Sequence, residues 1–346
     1  MSALRGAKNL LKKVIDCTTE ICGTSKGESK FFALPTYFHN VDINNFTNNG
    51  AMTFKNPVYF SANDKDTDLN NRATFTNNGL MTFESNAAFQ LFMNNNTLNF
   101  NADMGYDDLY AAVSGNIHNS GTINANGQIR FTAAKADETS EYGITRIVNV
   151  SGGTFNVNGK TKIEQVVYNT GDFCIYNDTE FKEVFHNYSS GSFMIRRPTI
   201  VTYWLNNQDG ATLHIKGTTL TINTINDDGV FLAGQGTFWN FRGAILIFSA
   251  VNGRLGQLIG NFINYGNADG TSKDEGKVKV NVRGLSAGTK YQIINGITIL
   301  YEKDIEFING TGQYLGNGWI WIDEVFAPKI FLTLNQQVIK KVLEAN

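Results

Sequence analysis

The sequence predicts an all-β protein: a parallel β-helix (β-solenoid) with a smaller C-terminal β-domain and short terminal helices. The first observation is an internal repeat, because residues 46–54 (FTNNGAMTF) return as residues 75–83 (FTNNGLMTF) with a single change. The second is a series of weaker copies, which follow at intervals of about 20 residues around Gly171, Gly191 and Gly210. The third is the alternation of apolar and polar residues beside each turn, which is typical of strands. Stacked units of this size, made of strands and turns, indicate a solenoid.

The turn of each copy contains Asn or Gly, which tolerate the positive φ angles that most residues avoid. The longer intervals between copies predict insertions, or a second turn that lacks the marker. Because stacked strands lie about 4.8 Å apart, Asn side chains at equivalent turns are expected to form hydrogen-bonded ladders. The predicted repeat turns are Asn49, Gly50, Asn78, Gly79, Asn119, Gly121, Gly153, Asn169, Gly171, Gly191, Gly210 and Gly236.

Three segments of the chain differ in pattern. Residues 1–22 carry apolar residues at helical spacing with basic residues between them, which predicts an amphipathic helix. This helix either caps the open end of the solenoid or docks on a membrane surface or a partner. Residues 23–270 form the predicted solenoid. Residues 271–346 are predicted to form the C-terminal β-domain or cap, with antiparallel strands and a final short helix over 335–344.

Composition excludes several classes of protein. Hydrophobic residues make up 42% of the 346 residues, which is enough for a sizeable core. The 29 basic and 31 acidic residues nearly cancel, so the electrostatic signature of a nucleic-acid-binding protein is missing. No apolar run approaches the roughly 20 residues of a membrane-spanning helix. Lys12 and Lys13 interrupt the one candidate apolar segment of a secretory signal, so none is expected.

Metal and cofactor sites have little support in the sequence. The four histidines lack the spacing of a zinc site: His39, His118, His186 and His214. Asp64, Asp66 and Asp68 stand at alternate positions, like the first ligands of a calcium loop, but Leu69 occupies the position that requires Gly. A solvated acidic loop is therefore favoured over a calcium site. No cofactor is expected.

Possible catalytic and sugar-stacking residues also have simpler explanations. Residues 284–288 (GLSAG) match the spacing of a nucleophile elbow around Ser286, but a strand-like run follows instead of a helix, which favours a hairpin turn. Each pair of adjacent carboxylates would point to opposite faces of a strand, so a glycosidase site would need partners from neighbouring coils. Aromatic residues on strands are usually core or interface residues, although they can stack on sugars. The residues concerned are Asp107, Asp108, Asp227, Asp228, Trp204, Trp239, Phe241, Trp319 and Trp321.

The three cysteines are Cys17, Cys22 and Cys174, an odd number without a C-x-x-C motif. Reduced thiols are therefore expected.

The segments FTNNGLMTF, IHNSGTINANGQIRF and GTFNVNGKTKI resemble the turn-and-strand pattern of the N-terminal domains of fungal hyphally regulated cell-wall proteins. The resemblance covers about residues 44–250. It implies a β-solenoid followed by a smaller β-domain, attachment to the cell wall and a role in adhesion. It assigns no functional residue. Bacteriophage and viral spikes and secreted bacterial adhesins have a similar turn-and-strand pattern.

These observations favour a non-enzymatic structural surface protein, such as an adhesin, a spike or a coat or assembly subunit. Its repetitive flank would make multivalent contacts. The expected partners are copies of itself, other structural subunits or surface glycans, at an extracellular surface or in a virion. The alternative is a polysaccharide-binding or polysaccharide-degrading β-helix protein. A groove of acidic residues from successive coils, flanked by Trp or Tyr, would favour the degrading enzyme.

Overall fold

The computed structural model confirms that the protein is all-β. It describes residues 13–16, 23–41, 46–62, 74–101, 113–132, 146–241, 243–252, 254–265, 277–281, 289–293, 297–301, 305–308, 312–316, 319–322 and 330–331. Every regular element in this part of the chain is a strand. The strands belong to two compact units, Met1–Val148 with Gly153–Gln165 and Asn149–Gly152 with Val166–Asn346.

The first unit contains short strands, most of them three to eight residues long. They are β1 (Lys13–Asp16), β2 (Ser29–Phe32), β3 (Thr36–Val41), β4 (Thr47–Asn48), β5 (Ala51–Phe54), β6 (Val58–Ala62), β7 (Thr74–Asn77), β8 (Leu80–Phe83), β9 (Ala87–Asn94), β10 (Thr97–Phe100), β11 (Val113–Asn119), β12 (Thr122–Ala125), β13 (Ile129–Thr132), β14 (Arg146–Asn149), β15 (Thr154–Val157) and β16 (Thr161–Ile163). The last residue of β14 already belongs to the second unit.

Strands of the first unit pair in parallel with the strands of the coils above and below, which defines a β-solenoid with three faces. Face 1 consists of β2, β5, β8, β10, β12 and β15. Face 2 consists of β1, β3, β6, the first halves of β9 and β11, then β13 and β16. Face 3 contains β4, β7 and the second halves of β9 and β11. The FTNNG phrase therefore forms the corner between face 3 and face 1, and its two copies stack in register.

Alternate residues of each strand point inward, and aromatic rings fill much of the core. Phe32, Phe54, Phe83 and Phe100 share one register position on face 1. Their rings stack one on another, with centroid distances of 4.7, 5.2 and 5.4 Å. All four are buried. Each burial removes a large apolar area from water, so this column contributes strongly to the stability of the first unit.

The second unit has the same organisation. Its strands are β17 (Val166–Asn169), β18 (Asp172–Ile175), β19 (Thr179–Phe181), β20 (Phe185–Asn187), β21 (Ser192–Ile195), β22 (Thr199–Thr202), β23 (Trp204–Asn207), β24 (Thr212–Lys216), β25 (Thr219–Ile225), β26 (Phe231–Leu232), β27 (Thr237–Phe241), β28 (Ile245–Val251), β29 (Arg254–Leu255), β30 (Gln257–Ile259), β31 (Asn261–Tyr265), β32 (Lys277–Asn281), β33 (Thr289–Ile293), β34 (Ile297–Tyr301), β35 (Ile305–Ile308), β36 (Gly312–Gly316), β37 (Trp319–Ile322) and β38 (Ile330–Phe331).

The coils of the second unit also stack in parallel. Face 1 consists of β18, β21, β24, β28 and β32. Face 2 contains β19, β22, β25 and β30, and face 3 contains β17, β20, β23, β27 and β31. The coil between β23 and β27 is long because β25 and β26 extend from it as an antiparallel pair.

Antiparallel pairing becomes common after residue 281. β33, β34 and β35 form a three-stranded antiparallel sheet, and β36 pairs antiparallel with β37. β32 belongs to both arrangements, since it pairs parallel with β28 and antiparallel with β37. The parallel stacking thus continues beyond the predicted boundary at residue 270. The helix predicted over 335–344 lies outside the described residues.

The helix predicted over residues 1–22 is wrong for the four residues that the structure describes there. Lys13–Asp16 form a strand that pairs in parallel with β3. Ile15 is 5% exposed and joins the core. Pairing with an adjacent coil satisfies the backbone and buries this side chain, which outweighs a helical pattern in so short a segment. The remainder of 1–22 lies outside the described residues.

Candidate binding surface

A column of buried asparagines runs along the corner between face 3 and face 1 of the first unit. The Nδ2 group of each donates to the Oδ1 atom of the next, at 2.7, 2.8 and 2.7 Å, in the order Asn48, Asn77, Asn94 and Asn119. All four side chains are fully buried. Each Nδ2 group also donates to a backbone carbonyl of the following coil, as Asn77 does to Thr97 O at 3.0 Å. These amides therefore satisfy the corner backbone and have a structural role.

The second unit contains a matching buried column. The donations from Nδ2 to Oδ1 measure 2.7, 2.8, 2.8 and 2.8 Å along Asn149, Asn169, Asn187, Asn207 and Asn240. Asn119 and Asn169 were predicted from the sequence as repeat-turn residues, whereas most of their partners in the two columns were not. The available signal was an Asn two to four residues before the marked glycine of most copies.

Asn49 and Asn78, which are also predicted repeat-turn residues, belong to a different column on the outer surface of the same corner. Asn78 Nδ2 donates to Asn49 Oδ1 at 3.0 Å, and Asn95 Nδ2 donates to Asn78 Oδ1 at 2.9 Å. The hydroxyl of Ser120 donates to Asn95 Oδ1 at 2.9 Å. These side chains are exposed. Their donors point toward the preceding coil, whereas the donors of the buried column point toward the following coil.

Face 1 of the first unit carries a three-by-three array of polar side chains. The segments TLNFN, TINAN and TFNVN place Thr and Asn at alternate outward positions of β10, β12 and β15, and a second Asn directly after each strand. Within each of the two Asn columns, amide hydrogen bonds of 2.8–2.9 Å link the side chain of one coil to that of the next. The array was not predicted from the sequence, in which TINAN and TFNVN served only to carry the family resemblance. Its members are Thr97, Asn99, Asn101, Thr122, Asn124, Asn126, Thr154, Asn156 and Asn158.

The same face continues through the earlier coils. Phe31, Thr53 and Thr82 occupy the register column that leads to Asn99. The Phe31 ring is 63% exposed, and Thr82 is 8% exposed. Lys55 and Glu84 form an ion pair beside this column. We call Phe31, Thr53, Thr82 and the nine members of the array the polar strip.

The corner glycines are required mainly by the close approach of neighbouring coils. A Cβ atom on Gly50, Gly79 or Gly121 would lie 2.0–2.1 Å from a backbone oxygen of an adjacent coil. None of these three has a positive φ, so that part of the prediction is wrong for them. The predicted positive φ is present at Gly210, where φ is 79°. A Cβ atom on Gly236 or Gly191 would likewise lie close to a backbone oxygen, at 2.1 and 2.6 Å respectively.

Gly153 and Gly171 directly precede β15 and β18, as predicted for repeat turns. Several other candidates lie outside the described residues: Cys17, Cys22, Asp64, Asp66, Asp68, Asp107, Asp108 and Ser286.

Two histidines are packed in the second unit. The rings of His186 and Tyr168 stack at 4.9 Å, and burial lowers the pKa of His186. His214 Nε2 lies 2.6 Å from Ser249 Oγ. Burial, followed by the charges of Lys216 and Arg196, lowers the pKa of His214 to about 4. Both imidazoles are therefore neutral near pH 7.

The remaining candidates are dispersed. Asp227 and Asp228 are exposed in a turn, and Cys174 is a buried free thiol whose pKa is raised by burial. Trp204 is 44% exposed on face 3 of the second unit. In the part of the chain that the structure describes, no three His, Cys, Asp or Glu residues are grouped so that they could hold a metal ion. His39 lies on β3 and His118 on β11, and further along the chain Trp239 and Phe241 lie on β27 and Trp319 and Trp321 on β37.

Among the described residues, no helix has the length and apolar character needed to span a membrane. Comparison with known proteins gives no match to any protein family, curated protein or solved structure.

Proposed function

We propose that the protein is a non-enzymatic structural surface protein, acting as an adhesin, a spike or a coat or assembly subunit. This role requires display at an extracellular surface or on a virion. The observation that supports it is the repetition of one polar group per coil on the outer corner and on face 1 of the first unit. Along each of these columns the spacing is about 4.8 Å.

The surface amides keep hydrogen-bonding capacity after they have bonded to one another. Asn78 donates once to Asn49 and accepts once from Asn95, whereas an amide side chain offers two donors and two acceptor lone pairs. Each further hydrogen bond contributes only about 0.5–1.5 kcal/mol. Strong attachment therefore requires many copies that bind together, as expected of a displayed surface protein.

Binding without hydrolysis fits the polar strip better than polysaccharide degradation. A glycosidase needs two carboxyl groups about 5–10 Å apart across the bond that it cleaves. The members of the polar strip carry no carboxylate, and the adjacent Glu84 is paired with Lys55. A polysaccharide-binding role remains the second candidate, because the strip offers both amides and an exposed aromatic ring.

Display on beads at graded density tests the proposed role. Beads carrying the purified protein are incubated with yeast cells, bacterial cells and beads that carry the same protein. Adhesion to at least one of these surfaces is expected to rise more steeply than linearly with density, because several weak contacts act together. The monovalent protein is expected to compete poorly.

Adhesion to none of the three surfaces at any density would contradict the proposal. Release of reducing ends from soluble polysaccharides by the monovalent protein, with turnover, would also contradict it and would identify an enzyme.

A further inference from the structure

We infer that the polar strip binds a neutral, extended polysaccharide chain that lies along its columns, parallel to the stacking direction of the coils. The inference rests on the proposed function and specifies its ligand. The strip lies entirely within the first unit.

The pairing register of face 1 aligns the residues of the strip in a straight column. Six successive residues occupy one outward column of face 1, and five of them are accessible to a chain lying above it, since Thr82 is only 8% exposed. Five steps of about 4.8 Å give a length of about 24 Å, which suits a short stretch of extended, β-linked sugar residues. The column consists of Phe31, Thr53, Thr82, Asn99, Asn124 and Asn156.

The chemistry of the strip matches the two surfaces of a sugar ring. Asn124 donates to Asn99 and accepts from Asn156, which leaves donor and acceptor capacity for sugar hydroxyl groups. Phe31 offers a ring that is 63% exposed, with Lys55 Nζ 6.0 Å from its centroid, for the apolar side of a sugar ring. Leu80, which is 44% exposed on the same face, adds a second apolar contact. A ligand with both hydroxyl groups and C–H faces satisfies both kinds of contact.

The charge on the strip favours a neutral ligand. None of its twelve members is ionisable. Two charged pairs lie beside it, Lys55 with Glu84 and Lys30 with Glu28, and in each the opposite charges neutralise each other. An acidic polysaccharide or a nucleic acid would find no unpaired cation along the column to offset its charge.

The area of the strip favours a narrow chain over a protein partner. Six coils span about 24 Å, and the width from Thr to the second Asn is about 13 Å, so the strip covers at most about 300 Å². A stable protein–protein interface buries roughly 800 Å² on each partner. A single polysaccharide chain requires only the width of one or two columns.

Two hexasaccharides of glucose test the inference, because they differ only in linkage. Cellohexaose is β-linked and extended, whereas maltohexaose is α-linked and coiled. Isothermal titration calorimetry of the full chain with each sugar measures the affinity, and chitohexaose serves as a second extended, neutral probe. We expect cellohexaose or chitohexaose to bind at least about tenfold more tightly than maltohexaose.

Matched variants locate the binding surface. Phe31→Ala removes the stacking ring, with Tyr59→Ala, an exposed aromatic residue on face 2 of the same unit, as its control. Thr122→Arg places a long side chain across the array, and Thr221→Arg makes the same change on face 2 of the second unit. Each strip variant is expected to weaken binding about tenfold or more, and each control to leave it within about twofold. Thermal melts confirm folding, and Thr122→Arg decides the outcome if Phe31→Ala does not fold.

Three results would overturn the inference: no binding of either extended hexasaccharide, equal affinity for maltohexaose, or binding that both strip variants leave unchanged. If the bead assay shows adhesion while the hexasaccharides do not bind, the polysaccharide ligand is wrong and the display role stands. If the beads do not adhere and neither extended hexasaccharide binds, both proposals are wrong.

Discussion

Asn77 and Asn78 are neighbours in the chain and carry the same side chain, yet they lie in opposite environments. Asn77 is fully buried, and its Nδ2 group donates to Asn94 Oδ1 at 2.8 Å and to Thr97 O at 3.0 Å. Asn78 is exposed, and its side chain bonds to the amides of Asn49 and Asn95. The same contrast separates Asn48 from its neighbour Asn49.

The difference shows why one residue type can serve two roles in this protein. A buried amide that loses a partner leaves polar groups unsatisfied, at a cost of about 1–3 kcal/mol for each group. A surface amide that loses a partner exchanges it for water at little cost. We therefore expect the buried columns to determine stability and the surface columns to determine contacts with other molecules.

Asn77→Asp should have the largest effect. A carboxylate cannot donate to Asn94 Oδ1 or Thr97 O, and its charge would be buried next to these acceptors. We expect a loss of about 3–5 kcal/mol in the free energy of unfolding at pH 7, measured by urea denaturation. The matched variant Asn78→Asp should change it by no more than about 0.5 kcal/mol. Equal losses in the two variants would contradict the assignment of the columns.

Gly79→Ala should have the next largest effect, because this glycine lies at the corner between the two columns. Its Cβ atom would lie 2.0 Å from Gly50 O, a backbone atom that cannot move independently. We expect a loss of about 3 kcal/mol by the same measurement, since such overlap forces a backbone shift. Gly152→Ala is the control, because φ is +85° there and no atom lies within 4 Å. It should cost about 1 kcal/mol. A smaller loss at Gly79 would show that the coils can separate locally.

His214 lies at an outward position on face 1 of the second unit. Its half-buried imidazole can therefore be compared with the surface amides of the first unit. Its pKa is about 4 in the folded protein against 6.5 in the unfolded chain, so the unfolded state binds the proton first as the pH falls. Stability should therefore be greatest above pH 6.5 and decline toward pH 4, by on the order of 2 kcal/mol. In His214→Gln this part of the decline should disappear. An unchanged pH profile in the variant would contradict the burial of this imidazole.

Asn95→Ala should have the smallest effect on stability. Its side chain is exposed and bonds to Asn78 and Ser120. We expect a change within about 0.5 kcal/mol, together with reduced adhesion of protein-coated beads. A large loss of stability would show that the outer column is also structural.

The sequence was sufficient to predict the coils, because the FTNNG copies mark equivalent corners and the flanking strands alternate. It did not reveal the coil that begins at Asn94. Asn96 stands there in place of the corner glycine and donates through Nδ2 to Asn78 O at 3.0 Å. The unmarked second turn expected within the longer intervals is thus present between Gly79 and Gly121. A search for glycine could not find it, because Asn96 occupies the corner position that Gly79 and Gly121 fill in the neighbouring coils.

The candidate surface was harder to predict than the fold. The Thr-x-Asn-x-Asn segments can be recognised in the sequence, but only the register shows that they stack without an offset. Phe31 lies in a segment without the phrase, so its position in the same column required the pairing of β2 with β5. The strand at Lys13–Asp16 was missed because its partner strand lies outside the local pattern.

Hydrogen exchange of the Asn side-chain amides tests the central claim most directly. Both Nδ2 protons of each labelled Asn are followed by NMR, and resonances are assigned by single Asn replacements. We predict that the amides of Asn48, Asn77 and Asn94 exchange only through unfolding of the first unit, whereas those of Asn49, Asn78 and Asn95 exchange orders of magnitude faster. Similar exchange rates within each neighbouring pair would contradict the buried ladder and the stacked coils that it joins.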